Sequence, residues 1–307
     1  MKLFSLISAI FVILCVISDI HSSGLEQMSD DDLLNLIRTE NYVAVLFTKK
    51  DCEICDKHED VLFQIREDLV DSLSAWVVKA VNSQLVRIYS PSKEPALVFF
   101  RHGIPLLYDG ELNDELILHT LSENKEPCVR ELHDENFEHL TQVSTGATTG
   151  DWFILFYSTD CIECQNLQAR WESVCAKLKT RMNVARINKQ TMGKVIGRRF
   201  GVSKVPSFIF FRHGKMYRYN SQKYDIDSLH SFPIETHKNA RVEPVTPPKA
   251  PLEDMLLGIL EFFRECPFLV KIISTIIGVF VIVSVAYKMN SRKEKKKKST
   301  SKRSKNK

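Results

Sequence analysis

One long stretch of the chain occurs twice, and each copy carries two cysteines separated by two residues. The first copy reads Tyr42-Val-Ala-Val-Leu-Phe-Thr48, then Asp51-Cys-Glu-Ile-Cys55; the second reads Trp152-Phe-Ile-Leu-Phe-Tyr157, then Asp160-Cys-Ile-Glu-Cys164. Further on, Glu94-Pro-Ala-Leu-Val-Phe-Phe-Arg-His-Gly103 is matched by Val205-Pro-Ser-Phe-Ile-Phe-Phe-Arg-His-Gly214. Cys52 and Cys161 are 109 residues apart, and Pro95 and Pro206 are 111 apart. A period of that length is a whole domain, so the repeat is a duplication and not a stack of short units.

Within each copy the local order is the same. A segment opened by acidic residues, Ser29 to Ile37 or Asp134 to Leu140, reads as a helix start. The continuous apolar run that follows reads as a buried strand. The Cys pair then opens a long helix, with Val61, Leu62 and Ile65 on its core side in one copy and Leu167, Trp171, Val174 and Leu178 in the other. A second strand (Trp76 to Val81; Val184 to Ile187) and a proline lead into Ala96–Phe100 or Ser207–Phe211, a turn at Gly103 or Gly214, and a closing helix. Strands alternating with helices predict an α/β fold in two tandem domains, 25–125 and 126–235.

The chain ends carry different signals. Lys2 followed by an apolar run from Leu3 to Ile17 reads as a signal peptide over 1–22. A second apolar run lies near the other end, uncharged from Ile272 to Tyr287. It extends back to Pro267 if Lys271 lifts its ammonium to the interface, which gives a transmembrane helix over 267–287. The tail 288–307 holds eleven Lys or Arg and one acidic residue, so it is expected in the cytosol, with the body lumenal, in type I orientation. The tail's net charge of +10 also hides the body's −6 within an overall +4. Basic residues beside a span meet anionic lipid heads or coat proteins, so no nucleic-acid partner is expected. Prolines 244, 247, 248 and 251 mark 236–251 as a linker, and 252–266 as an amphipathic juxtamembrane segment.

A strand, a Cys-x-x-Cys at a helix start, and a proline before an apolar strand about 40 residues on together resemble the thioredoxin fold. Val129-Arg-Glu-Leu-His-Asp-Glu-Asn-Phe137 is similar to the opening of protein disulfide isomerase catalytic domains. Cys164-Gln-Asn-Leu-Gln-Ala-Arg-Trp-Glu172 resembles thioredoxin-related transmembrane proteins. The resemblance covers 126–232 well and 25–125 more loosely. It implies two thioredoxin-like domains and a protein thiol–disulfide oxidoreductase of the endoplasmic reticulum membrane acting on secretory-pathway clients, with no cofactor beyond its own cysteines. A redox-inactive chaperone or adaptor that uses the same groove is the competing reading. Arg303 and Lys305 are similar to a dilysine retrieval signal, with Arg in place of one Lys.

The chemistry follows from the spacing. At a helix start, free N–H groups and the helix dipole favour a thiolate on the first cysteine. That thiolate attacks a client disulfide, and the second cysteine resolves the mixed disulfide. Cys52 and Cys161 are therefore the expected nucleophiles, and Cys55 and Cys164 the resolving partners. Family resemblance adds Pro95 and Pro206, usually cis, as aligners of the substrate backbone. The motif interiors depart from the family's Gly-His or Pro-x: here they are Glu53-Ile54 and Ile162-Glu163. Asp51 and Asp160 precede the pairs, and a neighbouring carboxylate opposes thiol ionisation. Where the family places a buried Glu, the chain has Leu46 and Leu155.

Two Cys-x-x-Cys pairs also have the composition of a four-sulfur zinc site, but a gap of 106 residues and the placement of each pair in its own repeat argue against a shared metal. Of the other cysteines, Cys15 goes with the signal and Cys266 with the membrane edge. Cys175 reads as a buried thiol on an apolar helix face, and Cys128, at the domain boundary, as free or bridged. His102 and His213 read as turn residues, and Trp171 as core.

Overall fold

The computed structural model describes residues 24–89, 94–146, 150–248, 251–265, 268, 271–280, 282–285 and 288. The expected signal peptide, Cys15, Cys266 and the Arg303/Lys305 signal lie outside the described residues.

The apolar runs form central strands because both of their faces are covered. In the first copy, β1 (Glu26–Gln27), β2 (Tyr42–Thr48), β3 (Trp76–Val81), β4 (Ala96–Arg101) and β5 (Ile104–Leu107) make one sheet, ordered β1-β3-β2-β4-β5. β2 runs parallel to β3, Val45 opposite Val78, and antiparallel to β4, Val45 opposite Val98. Its side chains alternate between two cores. Ala44 and Leu46 pack with Leu62 and Leu69 from α2 (Glu53–Gln64) and α3 (Arg66–Leu73) and with Ile117 from α5 (Asp114–Glu123). Val43, Val45 and Phe47 pack with Leu33 from α1 (Asp30–Thr39) and Val86 from α4 (Val86–Tyr89). A strand buried on both faces has no need of polar alternation, which is why its sequence is a continuous apolar run.

The second copy repeats the arrangement with β6 (Arg130–Leu132), β7 (Trp152–Tyr157), β8 (Asn183–Asn188), β9 (Ser207–Arg212), β10 (Lys215–Arg218) and β11 (Val242–Pro244). The order is β11-β10-β9-β7-β8-β6. Its first five strands in chain order occupy the same relative places as β1 to β5. The two sheets are consistent with tandem thioredoxin-like domains. Around the second sheet lie α6 (Phe137–Thr141), α7 (Ile162–Asn166), α8 (Gln168–Leu178), α9 (Lys194–Arg199) and α10 (Ile226–Ile234).

Local signals explain several boundaries. Ser29 caps α1, its Oγ accepting from the Asp32 amide at 3.3 Å. His102-Gly103 and His213-Gly214 form two-residue hairpin loops with positive φ throughout (50°, 77°, 48° and 69°), the geometry that matches strand twist and places both histidines in turns.

Other boundaries differ from expectation. The helix expected from Asp134 begins only at Phe137, because the Asp134 carboxylate instead accepts from the Val195 and Ile196 amides and caps α9. Each long helix after a Cys pair is broken, at Ile65 and at Leu167, into α2/α3 and α7/α8. The stretch 236–251, expected as a linker, first makes a 3-10 turn over Thr236–Asn239 and then adds β11 to the edge of the second sheet. Prolines are compatible with an edge strand, where one face of the ladder is unused.

The two sheets belong to one compact unit, and the described residues from 248 onward to another. In that second unit α11 (Pro251–Glu265) covers the segment expected to be amphipathic. Among the described residues no helix is long and apolar enough to cross a membrane. The expected span is described at 268, 271–280 and 282–285, all helical.

Between the sheets, α8 of the second copy lies along β5, an edge strand of the first. Ser173 Oγ donates to the Leu107 carbonyl at 2.5 Å, and Lys177 Nζ pairs with Asp109 at 3.1 Å. Covering an edge strand in this way removes a row of unpaired backbone groups from solvent.

Candidate redox site

In both copies the Cys pair sits where β2 or β7 hands over to a helix, and the first cysteine is the N-cap. Cys52 is extended (φ −122°, ψ 95°), and its Sγ accepts from the Cys55 amide at 3.2 Å. Cys161 is likewise extended (φ −88°, ψ 102°), and its Sγ accepts from the Cys164 amide at 3.0 Å. Each pair closes into a disulfide with its Cα atoms 5.2 Å apart. The outer sulfur of each pair belongs to a partly exposed residue, while Cys55 and Cys164 are only 2% and 5% exposed. Exposure thus distinguishes the two sulfurs: solvent reaches the first cysteine of each pair far more than the second.

The N–H aimed at the first sulfur stabilises a thiolate there once the bond is reduced. Opposing it, Asp160 stands exposed beside Cys161, held by the Gln190 side-chain amide at 2.5 Å. Pro95 and Pro206 both follow cis peptide bonds, after Glu94 and Val205. Ile54 and Ile162, inside the two motifs, are 60% and 74% exposed. Each motif thus presents an apolar side chain to water beside its sulfurs.

Behind Cys164 lies a cleft of about 320 Å³, lined among others by Leu155, Tyr157, Trp171, Glu172 and Arg186. Leu155 makes its wall apolar. Its polar end is a cluster in which Tyr157 Oη donates to Glu131 Oε1 at 2.8 Å and Arg186 Nε donates to Glu131 Oε2, the guanidinium lying 5.5 Å from the Tyr157 ring centre. Burial first, then the bond to Glu131, pushes the Tyr157 phenol up to about 12. Trp171 packs on Phe153 and Phe208 and donates its indole N–H to the Ala185 carbonyl at 3.1 Å, so it is core. In the first copy a smaller cleft, about 180 Å³, is lined by His58 and Pro95. Among the described residues no group of three or more His, Cys, Asp or Glu is placed to hold a metal ion.

One cysteine expectation is corrected. Cys175 is not a free buried thiol: it is bonded to Cys128, with Cα atoms 6.1 Å apart. Helix periodicity places Cys175 on the apolar face of α8 but cannot show that residue 128, 47 positions earlier, returns to that face. The available signal was arithmetic, since Cys128 and Cys175 are the two cysteines left over within the folded region. The sequence reading also missed Arg101 and Glu172, which pair across the two sheets at 3.0 Å.

A helix-capping Cys-x-x-Cys, with a cis proline before the second apolar strand, defines a thioredoxin-type redox domain. The thioredoxin family model matches residues 128–232, and that part of the chain is a thioredoxin domain. Its homologues are protein disulfide isomerases and thioredoxin-related proteins. A thioredoxin domain-containing protein of Theileria parva is 40% identical over 117 residues, 38% of this chain and 53% of that protein. Thioredoxin-related transmembrane protein 1 of Homo sapiens is 29% identical over 119 residues, 38% of this chain and 39% of that protein. The probable protein disulfide-isomerase A4 of Caenorhabditis elegans is 25% identical over 236 residues, 70% of this chain and 38% of that protein. The chain thus spans about half the length or less of these curated relatives.

Proposed function

We propose that the chain is a membrane-anchored protein thiol–disulfide oxidoreductase that acts on secretory-pathway clients from the lumenal face of the endoplasmic reticulum. The observation that carries this reading is the paired burial of the cysteines: a partly exposed, N–H-supported Cys161 in front of a buried Cys164, repeated at Cys52 and Cys55. In the proposed cycle, the Cys161 thiolate attacks a client disulfide, and its sulfur is joined to the client while the client's other sulfur leaves as a thiolate. Cys164 then gives up its proton and attacks Cys161, releasing the client reduced and leaving the pair oxidised. Pro206 and Pro95 align the client backbone. The apolar run 267–287 anchors the chain, and Arg303 and Lys305 act in retrieval; the name of the human relative, a transmembrane protein, supports the anchored reading.

Replacing Cys164 by Ala removes the resolving thiol, so clients accumulate on Cys161 as reducible high-mass species, and Cys161→Ala accumulates none. Glu163→Gln, added to Cys164→Ala, removes a nearby negative charge, favours the thiolate and raises the yield. A folded Cys164→Ala protein that traps nothing refutes the oxidoreductase reading for the second domain. Exposed Ile54 and Ile162, and Leu46 and Leu155 in the strands, favour a second reading in that event, an adaptor that binds clients without turnover. Protease added to intact microsomes tests the orientation: only the basic tail should be lost.

A further inference from the structure

Cys128 and Cys175 form a disulfide that neither Cys-x-x-Cys motif accounts for, and it lies on the seam between the two sheets. Cys128 is partly exposed and stands in the connection between α5 and β6; Cys175 is 2% exposed on α8. One turn earlier on α8, Glu172 Oε2 accepts from Arg101 Nη2 at 3.0 Å and from the Cys128 amide at 3.1 Å. Arg101 belongs to β4 of the first sheet, and its Nη1 donates to the Asn124 carbonyl at 3.0 Å and the Glu126 carbonyl at 3.4 Å. The connection 124–128 therefore wraps the guanidinium of one domain. Sulfur joins it to the helix of the other domain that carries the counter-charge.

We propose that Cys128–Cys175 is a third redox site, one that takes a dithiol reductant and governs the docking of the two domains. A thiolate of the dithiol attacks Sγ of Cys128, the more exposed of the two. The Cys128–Cys175 bond breaks, and its electron pair leaves on Cys175 Sγ, which takes up a proton. The second thiol of the reductant then loses its proton and attacks the mixed disulfide. Cys128 is released and protonated, and the reductant departs as a cyclic disulfide. Two electrons and two protons have passed to the pair.

With the bond open, only hydrogen bonds tie the connection to this helix: the Cys128 amide to the Glu172 carboxylate, the Cys128 sulfur to the Glu172 carbonyl, and Lys179 to the Glu123 carbonyl and Asn124; the seat of Arg101 loosens. The Asn124 and Glu126 carbonyls then drift from the guanidinium, Arg101 is drawn toward water, and β5 keeps only the Ser173 and Lys177 contacts with α8. A client or partner disulfide, as two-electron oxidant, closes the bond again.

The test is independent of the oxidoreductase reading because both Cys-x-x-Cys pairs are removed. The full chain with Cys52, Cys55, Cys161 and Cys164 each changed to Ser is purified in detergent and treated with dithiothreitol. Thiol alkylation with mass spectrometry reports the state of Cys128 and Cys175, and amide hydrogen exchange reports the seam. Reduction is expected to speed exchange about ten-fold or more at 104–107 and 124–129, with 152–157 unchanged. As a second measurement, the Cys128→Ser, Cys175→Ala chain with both motifs intact should exchange fast at the seam in either redox state. Three results overturn the proposal: a pair that dithiothreitol does not reduce, reduction without faster exchange at the seam, or faster exchange at 152–157 as well. The last would mean that the bond holds the second domain itself.

Discussion

Replacing Arg101 by Met should destabilise the protein far more than replacing Arg101 and Glu172 together. Arg101 is 0% exposed, and Glu172 is 3% exposed. Burial lowers the Arg101 pKa, against Glu172 and Glu126, which raise it, so desolvation outweighs the attraction between the charges. A pair of this kind adds little net stability over an apolar pair of the same volume, yet a single replacement leaves one buried charge uncompensated. In Arg101→Met the Glu172 carboxylate keeps the Cys128 amide but loses its cation, and the Asn124 and Glu126 carbonyls lose a donor. The expected cost is about 3–5 kcal/mol. For a body of this size that is a fall in Tm of about 6–20 °C. The double variant Arg101→Met, Glu172→Leu should lie within about 1 kcal/mol of the parent, or above it. Urea unfolding of the four chains of the cycle gives the coupling energy directly. A single-variant cost below about 1 kcal/mol, or a double variant as damaged as the sum of the singles, would refute the claim that the seam is organised by a buried ion pair.

Stability should also fall in mild acid. Burial lowers the pKa of His237, as it does that of His230 beside Lys177 and Arg181, so both histidines take up a proton more readily in the unfolded chain. Their contribution is complete above the ordinary value of 6.5 and is lost as pH falls through the lower folded values; the urea midpoint should drop from about pH 7.5 to about pH 5.5, and His237→Phe should flatten part of that slope. Glu138 acts in the same direction at lower pH. Burial raises its pKa but is outweighed by hydrogen bonds from Ser144 and Arg199, so its contribution is present above 4.5 and disappears below it; Glu138→Gln should reduce acid sensitivity in that range. Ultraviolet titration should find Tyr157 ionising near pH 12, and Glu131→Gln should move it back toward 10. Trp171→Ala opens a cavity between Phe153 and Phe208 and should cost about 3–5 kcal/mol.

The repeated strand, Cys pair and proline were enough to read two α/β domains with two redox motifs, because each is a local signal. Continuous apolar runs occur where both faces of a strand are covered, and a Cys pair before a helical pattern can only cap it. β2 and β7 begin and end where those runs do, and His102-Gly103 and His213-Gly214 turn the chain as such residues in αL must. Pairings between distant segments were not readable in this way. Phe-Arg-His-Gly occurs twice in identical form, yet Arg101 is sealed against Glu172 of the other domain while Arg212 stays near the surface, 3.6 Å from Asp151. Nothing local distinguishes them: β5 is covered by α8, and the second sheet continues through β10 to β11. For the same reason Cys175 read as a lone thiol. Its partner lies 47 positions earlier, two residues before β6, and only the packing of the second sheet against α8 brings Cys128 to that helix. Periodicity fixes which face of an element is buried, but which neighbour buries it is decided by packing across long sequence separations.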